Sequence, residues 1–118
     1  MDKVLTCLID YVHVKGLTRS FALLLIELLS FKNKNGKIVI NASLKRDIGH
    51  RINASVGSID NMITKLVETA ILLRIDRGMY MFSEELDGFT YADKSDIEMK
   101  ITYNDKAKKI KIIGGRKQ

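Results

Sequence analysis

Three features predict an α+β fold: a nearly all-apolar helical segment (FALLLIELLSF), two shorter segments with helical spacing separated by a brief break, and two apolar runs flanking Asp76-Arg77-Gly78. The chain has 118 residues, 46% of them hydrophobic. That suits one domain with one core, expected over residues 1–113, and is too apolar for a disordered chain.

Residues 3–12 place Val4, Leu8 and Val12 at four-residue spacing, with Leu5 and Ile9 alongside, which favours a helix. The β-branched ending Val12-His13-Val14 pulls toward strand, and Gly16 breaks the segment. Thr18 can cap the free amides of a helix over about 18–31, which is apolar nearly all round and therefore central in the core. Asn35-Gly36 marks a turn, and the run Lys37 to Asn41 reads as a short strand. Leu44, Ile48 and Ile52 outline a short amphipathic helix over about 43–49, with Gly49 near its end serving a tight approach or a left-handed residue. A second amphipathic helix over about 55–70 carries Val56, Ile59, Ile63, Leu66, Val67 and Ala70 on one face. Residues 72–75 and 79–82 form a hairpin around Asp76-Arg77-Gly78. Met79 and Met81 alternate in its second strand, and one of them is expected in the core. Alternation then returns over 97–113 as a second hairpin, turning at Asn104-Asp105, with Ile110 and Ile112 alternating with lysines. Residues 114–118 are expected to be a mobile basic tail.

This order is that of a winged helix-turn-helix: a three-helix core plus a β-hairpin wing at about 72–82, here with an extra C-terminal β-hairpin. Charge fits that expectation. The net charge is +6, and the six basic residues after Asp105 account for the whole excess. Residues 32–51 are net +5, whereas residues 84–98 are net −5. A polarised basic surface is the electrostatic footprint of a nucleic-acid binder, although charge runs are also common on merely solvated faces.

In this geometry the second helix of the pair enters the major groove, and the preceding helix and the wing touch phosphates. Lys45, Arg46 and Arg51 lie on or just after the supporting helix, and Arg77 at the wing tip. Ser55, Gly57 and Ser58 open the recognition helix with small residues, whose amides favour a nearby phosphate. Ser58, Asn61, Met62 and Lys65 are expected on its outward face. Asn61 is the candidate base reader, because its amide pairs bidentately with adenine. Ser58 suits several bases and Lys65 a phosphate. Asp60 would repel phosphate unless it accepts from cytosine or pairs with Arg46 or Arg51.

The segments KLVETAILLRIDRGMYMFSEELDGF, INASVGSIDNMITKLV and ITYNDKAKKI resemble, in order and spacing, the plasmid replication/maintenance protein L family of bacterial plasmids over about residues 17–113. Lys65, Arg74, Arg77, Gly78 and Tyr80 match that family's pattern, while Ala70 stands where a glycine is usual and SEELDGF replaces an Asn-Pro segment. The resemblance implies binding of double-stranded origin DNA and recruitment of host replication proteins.

A transcriptional regulator of the same fold is the first alternative, and a protein-interaction module on a winged-helix scaffold is the second. An enzyme is not expected. His13 reads as a surface or packing residue, His50 as a phosphate contact at most, and Cys7 as a packed thiol. One cysteine and two histidines cannot build a tetrahedral structural zinc site, and no cofactor is expected. No signal peptide or membrane span is read, so the expected location is cytoplasmic. A homodimer through residues 4–14 or the last hairpin is expected, because small helix-turn-helix domains often need two half-sites.

Overall fold

The computed structural model describes residues 3–33, 35–89, 98–103 and 108–113. The expected tail at 114–118, the turn at Asn104-Asp105 and most of the acidic segment 84–98 lie outside the described residues. The described elements are four helices, a three-stranded antiparallel sheet, a 3-10 turn and a separate two-stranded sheet.

Helix α1 (Lys3–Val14) settles the first segment. Leu8, Tyr11 and Val12 are fully buried, with Cys7 nearly so, and this stripe packs on α2 (Arg19–Ser30). Burial of one helical face outweighs the strand preference of Val12-His13-Val14. The chain leaves α1 through Gly16 at φ +84, with the Leu17 amide donating to the Val12 carbonyl at 2.8 Å. Helix α2 buries Ala22, Leu24, Leu25 and Leu28 and packs against α1 and α3, while Leu23, Ile26 and Leu29 are only half-buried. Thr18 occupies its N-cap in an extended conformation but makes no side-chain capping bond. Its hydroxyl lies 3.0 Å from the Ser20 hydroxyl instead, which corrects the expected cap.

Strand β1 (Lys37–Val39) is shorter than the run predicted, because Asn41 belongs to the next helix. Its Oδ1 accepts from the Leu44 amide at 2.8 Å and caps α3 (Ala42–Ile52). The helix runs to Ile52, three residues beyond the predicted limit, and Asn53 follows it in the left-handed region (φ 61). Gly49 is buried there, and a Cβ on it would collide with the carbonyl oxygen of Ala54. Only glycine lets the turn fold back this tightly, with the Ala54 amide donating to the Gly49 carbonyl at 2.8 Å. Ser55 then caps α4 (Val56–Glu68), accepting from the Ser58 amide at 3.1 Å. Ile59, Ile63 and Leu66 turn α4's buried face inward. After α4 the chain reverses through Ala70, which holds φ 62, the conformation glycine adopts without cost.

Strands β2 (Leu72–Asp76) and β3 (Met79–Phe82) form the predicted hairpin, with an irregularity in register between Arg74 and Asp76. β1 pairs with β3 on its other side, so the sheet order is β1-β3-β2. Leu72 and Phe82 are register partners, and both are buried. Met79 and Met81 share one face of β3 and both are only half-buried, so neither enters the core as expected. Ile38 and Ile40 supply the remaining sheet-side core residues.

The 3-10 turn Glu84–Phe89 is anchored to α1. The Tyr11 hydroxyl donates to Glu85 Oε1 at 2.7 Å, and Lys15 Nζ approaches the same oxygen at 2.9 Å. Burial, then the hydrogen bond to Glu85 and its charge, holds the Tyr11 pKa far above the usual tyrosine range. The second hairpin follows as β4 (Glu98–Tyr103) and β5 (Lys108–Ile113), in the register Met99↔Ile112 and Ile101↔Ile110. β5 runs beside the 3-10 turn. No helix among the described residues is long and apolar enough to cross a membrane.

Candidate nucleic-acid interface

Helices α3 and α4 form a helix–turn–helix unit held by buried Ile48, Ile59, Ile63 and Leu66. Since α4 turns that stripe inward, its opposite side must face solvent. Gly57, Ser58, Asp60, Asn61, Thr64, Lys65 and Glu68 are exposed there. Met62, expected on this side, is half-buried and packs against the core. Thr64, which the sequence reading left out, lies near the line opposite the core. The missed signal was angular: at about 100° per residue, positions 57, 61, 64 and 68 oppose the stripe at 59, 63 and 66.

The basic residues divide into bracing and unpaired groups. Lys45 Nζ lies 2.6 Å from Asp60 Oδ1, tying α3 to α4. This is the partner Asp60 needed, although the sequence reading had named Arg46 or Arg51. Arg51 reaches the other way: its Nε donates to Glu27 Oε1 at 2.5 Å, and its guanidinium lies 5.6 Å from the centroid of the Phe31 ring. Arg51 therefore clamps α3 to α2 and is not brought to α4's outward side. Lys65 Nζ is 3.7 Å from Glu68 Oε1, a loose pair between exposed groups. Among the described residues, the side chains of Arg46, His50, Ser58, Asn61, Arg74 and Arg77 have no hydrogen-bond or ion-pair partner, and all are exposed.

Ser55 serves as the α4 cap, so its hydroxyl oxygen is already engaged. Gly57 is open to solvent, and a Cβ there would meet only the Ser55 hydroxyl at 3.9 Å. Arg46 and His50, one turn apart on α3, line an open cleft of about 380 Å³ with Gly49, Asn53, Ala54, Ser55 and Val56. At the hairpin tip the Arg77 amide donates to Asp76 Oδ1 at 2.7 Å, while Gly78 takes φ +71. The Arg77 side chain is exposed at this tip.

The other polar candidates lie elsewhere. His13 is exposed near the end of α1. The Cys7 thiol is buried, and desolvation followed by the charge of Asp10 pushes its pKa up to about 11. Among the described residues no cluster of three His, Cys, Asp or Glu side chains could hold a metal ion. No family of known proteins, no curated protein and no solved structure matches this chain.

Proposed function

We propose that this protein is a winged helix-turn-helix that binds double-stranded DNA in a sequence-specific manner. The observation that carries the proposal is the α3–turn–α4 unit with an exposed polar side on α4, followed directly by a hairpin tipped with Arg77. α4 has the dimensions of a major-groove reader, and its exposed side offers hydrogen-bonding groups that base edges can match. Asn61 is the base reader, bidentate to adenine, and Ser58 is its neighbour toward the helix start. Arg46, Lys65 and Arg77 contact phosphate, whereas Lys45 and Arg51 hold the unit's geometry. The sequence resemblance adds an initiator or maintenance role on a plasmid or mobile element, with a transcriptional regulator as its alternative.

The test is selection from a randomised duplex library with purified protein, followed by salt titration on the enriched duplex. Tight binding that weakens steeply with salt is expected. Asn61→Ala should reduce discrimination between sequences more than total binding. Enrichment of repeats beside an origin would support the initiator, and promoter palindromes the regulator. Absence of salt-dependent duplex binding would overturn the proposal.

A specific observation favours one other reading. Val39, Leu73 and Ile75 are 52%, 43% and 41% exposed on the three-stranded sheet. An exposed apolar sheet face suits a protein contact. It predicts association that is insensitive to salt.

A further inference from the structure

Thr64 is exposed on α4, three residues after Asn61, yet its hydroxyl is not available in the way an exposed hydroxyl usually is. Thr64 Oγ1 donates to the backbone carbonyl of Asp60 at 3.1 Å. This bond to the preceding turn fixes χ1 and engages the hydroxyl hydrogen. The methyl group is then the distinctive chemical feature that Thr64 offers to a groove.

Resting on the DNA-binding reading above, we infer that Thr64 is a specificity-determining residue whose methyl packs on the C5-methyl of a thymine beside the base pair read by Asn61. The spacing supports the pairing of roles. Three residues of helix advance about 4.5 Å, close to the spacing of about 3.4 Å between successive base pairs. Residues three apart also share a helix face, so one base step can meet both side chains. The chemistry supports it as well. Thymine is the only base with a methyl group in the major groove, and an apolar contact there separates it from cytosine without a hydrogen bond. Asn61 and Thr64 together then demand adenine and thymine at adjacent positions. Asp60, on the preceding turn, is drawn off by Lys45 at 2.6 Å, so its charge is compensated by the supporting helix.

The experiment uses the full chain and a duplex selected from a randomised library, with uracil replacing each thymine in turn. Uracil removes only the methyl group. At one position wild-type affinity should fall about three- to fivefold, as expected for losing one buried methyl contact. Thr64→Ser keeps the hydroxyl and its bond to Asp60 but lacks the methyl, so it should bind the thymine and uracil duplexes equally. Thr64→Val keeps a methyl without the hydroxyl and should retain the uracil penalty. Duplex binding with no uracil-sensitive position, or an unchanged penalty in Thr64→Ser, overturns this inference alone. Failure to bind any duplex in a salt-dependent way overturns the DNA-binding reading and this inference together.

Discussion

Replacing glycine by alanine at positions 49 and 57 should have opposite effects on stability, although both glycines are helical. In a helix interior the change is worth up to about 1 kcal/mol in favour of alanine, because alanine loses less conformational freedom on folding. At Gly57 in α4 nothing opposes that gain, since the nearest atom to a new Cβ is the Ser55 hydroxyl at 3.9 Å. Gly57→Ala should stabilise the protein by about 0.5 kcal/mol. At Gly49 the new Cβ would collide with the Ala54 carbonyl oxygen. That oxygen is backbone, on a residue whose own amide is fixed by its 2.8 Å bond to the Gly49 carbonyl beside the left-handed Asn53. It cannot swing aside as a side-chain terminus could. Overpacking against such a group costs about 1–3 kcal/mol. After the helical gain is subtracted, Gly49→Ala should destabilise by about 1–2 kcal/mol, lowering Tm by roughly 4–8 °C. Urea and thermal unfolding followed by far-UV circular dichroism would measure both variants. Equal stabilisation by the two substitutions would refute the claim that the turn from Gly49 to Ala54 needs glycine at position 49.

Arg77→Ala should weaken binding to all duplexes alike and reduce the steepness of the log–log salt dependence by about one, and an unchanged slope would remove the hairpin tip from DNA. Arg51→Ala should lower stability by about 1 kcal/mol, through loss of the Glu27 pair and the Phe31 contact, while leaving that slope unchanged. Cys7 should resist alkylation in the folded protein at pH 8 and react promptly once urea exposes it. Because the folded thiol keeps its proton to about pH 11 while an unfolded thiol releases it near 9.0, stability should fall as pH rises between those values. Cys7→Ala should lack that part of the decline, which unfolding midpoints across the alkaline range would reveal.

Local chemistry made most elements of this protein legible from its sequence. The periodicity of α2 and α4, the Asp76-Arg77-Gly78 turn and the alternation of β4 and β5 depend on residues a few positions apart, and each element appears within one or two residues of where those patterns place it. Ser55 was readable as a start signal and acts as one. Thr18 carried the same signal and does not, because its hydroxyl meets Ser20 instead. Pairings between distant residues were decided by the tertiary structure. β1 joins β3 because the core brings Ile38 opposite Tyr80. Tyr11 finds Glu85 across 74 positions of chain. The candidate interface divides along the same line. The exposure of Asn61 and Arg77 was legible from helical phase and turn position alone. The packing angle of three helices determined that Arg51 turns to Glu27 and Lys45 to Asp60, leaving Arg46 unpaired among the described residues. A sequence shows how many charges a segment carries, but ion pairing needs atoms within about 4 Å, a distance fixed only when the buried faces of the helices have chosen their neighbours.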